Sequence, residues 1–212
     1  PTRRFVLFLR RMVRIGRQIP HFREVDLSTL KAHFSEDRRF RYLLNMQYGS
    51  NLYASGRTKH AAVILKNPSA ADTSAADSTI RKVETFIYRH LEDVLELSIL
   101  NIFGLRATDA ADLNEEYRVK GADSVIGPEN DRILEETAHR ADYVVVAWGN
   151  KSGIDADLYG ERVLKVKHIL GRMNPSRIFE VKGNKDHVHP LHGMMWGYEH
   201  RLQPFLELKE EN

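Results

Sequence analysis

The chain has 212 residues, of which 42% are hydrophobic and 29% are charged, and it contains no cysteine. This composition is typical of a globular protein, and it excludes disulfides, thiolate metal sites, iron–sulfur clusters and cysteine nucleophiles. No apolar run approaches the roughly 20 residues that a membrane-spanning helix needs. We therefore expect a cytoplasmic protein that does not contact a membrane.

The formal net charge of +3 is unevenly distributed along the chain. Residues 1–23 contain seven arginines and no acidic residue, so the +3 of the whole chain divides into +7 for this segment and −4 for residues 24–212. We predict a basic N-terminal extension over residues 1–23 and a single α/β domain over residues 24–212. The extension can attract nucleic acid or another anionic surface, or it can be a docking helix with a solvated arginine face, or an organellar presequence.

Secondary structure is clearest after residue 60. Residues 24–60 are mixed and polar and can hold short strands, whereas the apolar run at residues 61–65 predicts a buried strand that Pro68 brings to an end. Asp77 then predicts a helix start, because apolar residues recur at helical spacing after it. These residues are Ile80, Val83, Ile87, Leu91 and Val94.

The same alternation continues towards the end of the chain. Strands are predicted at residues 95–102, 143–148 and 177–181, and helices are predicted to open at residues 127–131 and to span residues 158–171. Strand–helix alternation predicts a three-layer α/β fold with a mostly parallel central sheet and helices on both faces.

Polar segments follow the four predicted strands, at residues 67–72, 101–109, 148–150 and 186–192. In parallel sheets, ligands bind outside the carboxyl ends of the strands, so these segments predict a site at one edge of the sheet. Each segment also has a simpler explanation, because Asn, Pro, Ser and Asp are common turn and capping residues.

Three residues are candidates for catalysis. Asn67 can orient a water molecule or read the edge of a base, Asp72 can act as a base or hold a metal, and His189 lies in a loop where a single imidazole can be positioned. The H-x-H-x-x-H cluster of His187, His189 and His192 leaves a metal site open, although we assign no metal ligand and expect no cofactor.

Further polar and aromatic side chains in these segments are candidates for substrate binding. An amide can read a base edge, an aromatic ring can stack on a flat ligand and an arginine can bind phosphate. The predicted substrate-binding residues are Ser69, Asn101, Phe103, Arg106, Asn130, Trp148 and Asn150. The sequence has no Walker phosphate loop, no G-x-G-x-x-G and no G-x-S-x-G, which argues against P-loop, Rossmann and serine-esterase chemistry.

Four collinear segments resemble the bacterial and phage family catalogued as domain of unknown function 1643. They are residues 65–72 with 77–81, residues 101–109, residues 127–131, and residues 147–149 with 189–191. The resemblance covers roughly residues 40–195, with departures at Lys66, where the family usually has an apolar residue, and at Ser78 and His187, where it usually has proline.

The chain is also faintly similar to uracil-DNA glycosylase-like folds, some of which have an Asn-Pro turn, a strand-end Asn and a His-Pro loop. This resemblance implies that Asn67 positions water, Phe103 stacks on a base, Asn101 reads the base and His189 stabilises the departing base anion.

Three hypotheses of function follow. The first is an enzyme that acts on a nucleobase, nucleoside or nucleic acid through a glycosylase-like site. The second is a non-catalytic module that binds a nucleotide or nucleic acid. The third is a metal-dependent hydrolase that uses Asp72, His189 and the acids of residues 129–131.

Overall fold

The computed structural model describes residues 18–49, 56–68, 74–107, 109–183 and 187–208. The strands in these ranges are β1 (Val25–Phe34), β2 (Arg41–Tyr48), β3 (Lys59–Leu65), β4 (Val94–Asn101), β5 (Tyr143–Val146), β6 (Ile178–Lys182) and β7 (Arg201–Pro204). The α-helices in them are α1 (Ser78–His90), α2 (Ala110–Lys120), α3 (Asp123–Ile126), α4 (Asn130–Arg140) and α5 (Ala156–Gly171). Short 3-10 turns lie at Pro175–Arg177 and Gly193–Met195.

All seven strands belong to one mixed sheet with the order β1-β2-β4-β3-β5-β6-β7. The central strands β4, β3, β5 and β6 pair in parallel, whereas β1, β2 and β7 are joined by antiparallel ladders. The prediction of an α/β fold is confirmed, but the prediction of a mostly parallel sheet is wrong. Antiparallel strands extend the parallel centre on both sides, so three of the six ladders are antiparallel.

Apolar side chains cover both faces of the sheet because they alternate along the central strands. In β3, Ala62 and Ile64 pack into the cluster that contains Leu134 of α4 and Val166 of α5. Their neighbours in sequence pack on the opposite face with Val83 and the other buried residues of α1. Helices therefore lie on both faces of the sheet, as predicted.

The helix at α1 begins where the sequence predicts it. The Asp77 side chain accepts a hydrogen bond of 2.8 Å from the Ile80 backbone N–H, which caps the first turn. The helix ends before Leu91, so Val94, which continues the helical spacing in the sequence, is instead the first residue of β4. The predicted helix was therefore too long by one turn.

The last residues of the predicted extension contact the domain. Ile19 forms an isolated β-bridge with Ala76, and His21 Nδ1 lies 2.5 Å from Glu84 Oε1 in the interior. The arginines up to residue 17 lie outside the described residues, so the role predicted for the basic extension stays a prediction. None of the described helices is long and apolar enough to cross a membrane.

Candidate functional site

The four parallel strands end at one edge of the sheet. β3 leads into Lys66 and Asn67, β4 ends at Asn101, β5 leads into Trp148 and Gly149, and β6 precedes the His-Pro loop. Because β3 to β6 are neighbours and parallel, their carboxyl ends lie at the same edge of the sheet, which is where the sequence predicts a site.

A cleft of about 1100 Å³ opens at this edge. Its walls come from residues 149–153, which follow β5, and from residues 187–195, which follow β6. The titratable side chains that the described residues contribute to this cleft are all basic. They are Lys66, Lys151, His187, His189 and His192.

Lys66 combines burial with access to this cleft. The residue is 7% exposed, and its ammonium group has no hydrogen bond or ion pair with any other described residue. Burial lowers the pKa of Lys66 to about 8. Water normally solvates an ammonium group, so an unpaired and largely desolvated one is energetically unfavourable unless a ligand completes the site.

His192 lies close enough to Lys66 for the two side chains to interact. Burial first, and then the positive charge of Lys66, lowers the pKa of His192 to about 4, against the opposing effect of Asp77. The Nδ1 atom accepts a hydrogen bond of 3.2 Å from the Met194 backbone N–H. The imidazole is therefore neutral near pH 7 and carries its proton on Nε2, where it can donate.

The turn after β5 brings the backbone against His192. Gly149 has a φ of +69°, and a Cβ at this position would lie 2.8 Å from the Cβ of His192. The Tyr159 hydroxyl donates a hydrogen bond to the Gly149 carbonyl. His189 is exposed in the cleft, with its ring edge-to-face with Tyr159 at 6.3 Å.

Asn67 follows Lys66 in the chain and is held in one orientation, although it is not among the residues that line the cleft. Its Nδ2 atom donates a hydrogen bond of 2.8 Å to the Ala107 carbonyl, which leaves Oδ1 as an acceptor. An oriented amide oxygen next to Lys66 can accept a hydrogen bond from a water molecule, which is the role that the glycosylase resemblance implies.

Asn101 lies at the end of β4 and is 1% exposed. Neither its Nδ2 nor its Oδ1 atom has a hydrogen-bond partner among the described residues, which is rare for a buried amide and costs about 1–3 kcal/mol for each group left unpaired. Asn130 supports the same strand end, because its Nδ2 atom donates to the carbonyls of Asn101 and Ile102 at 3.0 and 3.3 Å. The structure thus places Asn130 as a brace of the β4 terminus.

The other predicted substrate-binding residues lie in different environments. Phe103 and Trp148 are fully buried in the core, and neither lines the cleft. Arg106 packs over the ring of Phe34 at 5.1 Å. Asn150 lines the cleft. Ser69 and Asp72 lie outside the described residues, so their roles stay predictions.

The described residues contain no group of three His, Cys, Asp or Glu side chains that could hold a metal ion. Neither Lys66 nor His192 is a predicted catalytic or substrate-binding residue, although both stand out in the structure. Lys66 carries a signal in the sequence, since it is a charged residue at the end of an apolar strand. His192 belongs to the histidine cluster, but its half-buried position beside Lys66 depends on the fold, which sequence spacing does not reveal.

Comparison with protein families gives one match to a domain model. The model described as "Protein of unknown function (DUF1643)" matches residues 41–191, which is more than half of the chain. Comparisons with curated proteins and with solved structures gave no match, and the resemblance to glycosylase-like folds therefore stays a prediction. The chain belongs to the DUF1643 family, as its four collinear motifs predict.

Proposed function

We propose that the protein is an enzyme that hydrolyses the N-glycosidic bond of a nucleoside, nucleotide or nucleic acid in the cleft at the carboxyl edge of the sheet. One observation carries the proposal. Lys66 is 7% exposed and places in the cleft an ammonium group that has no hydrogen bond or ion pair with another described residue, beside the neutral imidazole of His192. Such an arrangement suits a reaction in which negative charge develops on a leaving group.

The chemistry of base release matches these groups. Hydrolysis breaks the bond between C1′ and the base nitrogen, the electron pair leaves with the base, and water supplies a hydroxyl group to C1′ while its remaining proton ends on the released base. The charge of Lys66 and the Nε2–H of His192 would stabilise the departing base anion, and removing one such donor typically costs 10²–10³-fold in rate. His189, which is exposed in the same cleft, is a third candidate for this role.

The remaining groups account for orientation and recognition. Asn67 Oδ1 would accept a hydrogen bond from the attacking water, since Nδ2 is already fixed by the Ala107 carbonyl. Asn150, which lines the cleft, carries an amide of the kind that reads the edge of a base. The basic side chains along the cleft favour a substrate that carries phosphate.

The test is direct measurement of released base. The purified protein would be incubated with nucleosides, nucleoside monophosphates, and single-stranded and duplex oligonucleotides, and free base would be measured by chromatography. We expect release that persists in a chelator, that falls by about 10²-fold in His192→Gln and that is lost in Asn67→Ala. His168 is an exposed residue of α5, so His168→Gln is the matched control and should leave the rate of base release unchanged.

Three results would contradict the proposal. Binding of these ligands without release of base from any substrate would favour the non-catalytic module. Loss of release on adding the chelator would favour the metal-dependent hydrolase. Equal losses of base release in His192→Gln and His168→Gln would show that the reaction does not take place in the cleft.

A further inference from the structure

Lys66 is more deeply buried than a lysine needs to be if its role is only to attract an anion. A lysine that binds anions usually projects into solvent on its flexible stem. Lys66 instead directly follows the buried strand β3, is 93% covered by the protein and reaches the wall of the cleft. Its ammonium group has no hydrogen bond or ion pair within the described part of the chain, so nothing in that part favours the protonated form.

Desolvation of this kind activates a lysine as a nucleophile. The neutral amine attacks carbonyl carbon, and a lysine in a poorly solvated pocket beside other cationic groups loses its proton more readily. The titratable groups that line the same cleft are basic or neutral, namely His192, Lys151, His187 and His189, and of these His192 lies close enough to Lys66 for the two side chains to interact. Asp77 is the acidic group that also acts on His192.

We infer that Lys66 forms an imine with an anionic aldehyde, of which the open-chain form of a phosphorylated sugar is an example. The lysine Nζ atom bonds to the carbonyl carbon, and the carbon–oxygen bond then breaks. The oxygen leaves as water after it takes up two protons, one from the amine and one from solvent, and the imine is left protonated. The Nε2–H of His192 donates a hydrogen bond to the leaving oxygen and keeps its proton. The basic side chains of the cleft would hold the phosphate group.

Reductive trapping tests this inference on the intact protein. The protein would be incubated with ribose 5-phosphate and cyanoborohydride, which reduces an imine to a stable secondary amine, and the modified lysines would be located by peptide mass spectrometry. We expect Lys66 to be labelled faster than the exposed helix residue Lys165 by on the order of tenfold or more, because a far larger fraction of Lys66 is neutral than of an ordinary lysine. Labelling of Lys66 should increase as the pH rises through about 8, and inorganic phosphate should compete with it.

If Lys66 of the wild-type protein is labelled no faster than Lys165, the inference is wrong. This test needs no variant. The Lys66→Arg variant separates this inference from the proposed function. It keeps the positive charge but cannot form the imine, so it should lose labelling at this position while retaining part of the base release. If the wild-type protein is trapped at Lys66 but releases no base from any substrate, the proposed N-glycosidic hydrolysis is wrong and the imine inference is unaffected.

Discussion

Lys66 is the residue at which stability and function conflict most clearly. A buried ammonium group without a partner destabilises the folded state, and proteins retain such groups mainly where they serve a site. The sequence shows the charge at the end of β3 but not its burial, which depends on the loops that follow β5 and β6. For the same reason His192 was recognised as part of a histidine cluster and not as a buried neutral donor.

Replacing Lys66 with methionine should make the protein more stable. The pKa of Lys66 is lower in the folded state than in the unfolded chain. The free-energy cost of the buried charge is therefore fully present below pH 8 and disappears between pH 8 and 10.5. We expect Lys66→Met to raise the free energy of unfolding near pH 7 by roughly 1–3 kcal/mol, as measured by chemical denaturation. The Lys165→Met control should change it little, and a loss of stability in Lys66→Met would show that the ammonium group has a stabilising partner.

The elements show which parts of the fold the sequence can predict. The central strands and α1 were found because their apolar runs and spacing reflect burial on one or both faces. The strands within residues 24–60 are expected from the sequence only as short strands without bounds, because β1 is largely exposed, and β7 was missed because it is only four residues long. Helix α2 was missed because Leu113 and Glu116 are its buried residues, too few for a visible periodicity.

The turn after β5 offers a test at the scale of an element. Gly149→Ala would introduce a Cβ both at a φ of +69° and 2.8 Å from the Cβ of His192. We expect this change to lower the free energy of unfolding by roughly 1–3 kcal/mol and to weaken ligand binding in the cleft.

Gly160 provides the matched control for this substitution. It lies within α5, and a Cβ there would meet no atom within 4 Å, so Gly160→Ala should raise the free energy of unfolding by roughly 0.5–1 kcal/mol. Denaturant titration of the two variants checks both signs. Equal effects would mean that the Gly149 turn does not hold the position of His192.

At the scale of the whole molecule, the mixed sheet keeps its four parallel strands at the centre and brings their carboxyl ends together. That convergence was predictable, because the order of strands and helices along the chain implies it. The roles of the individual polar side chains were not predictable, because they depend on which of these side chains are buried. Asn130 braces the β4 terminus, while Asn150 lines the cleft, although the sequence predicts both asparagines to bind substrate.

If this cleft is the functional site, ligands that bind there should raise the melting temperature of the protein. Thermal unfolding with and without ligand is therefore the most direct test. Melting temperatures would be measured for the wild type, Lys66→Met and Lys165→Met, each with and without nucleoside monophosphates and short single-stranded DNA. A ligand that binds the native state raises the melting temperature by mass action. We predict a rise in the wild type and in Lys165→Met that is absent in Lys66→Met, each compared with its own ligand-free value. An equal rise in all three proteins, or no rise with any of these ligands, would contradict the account.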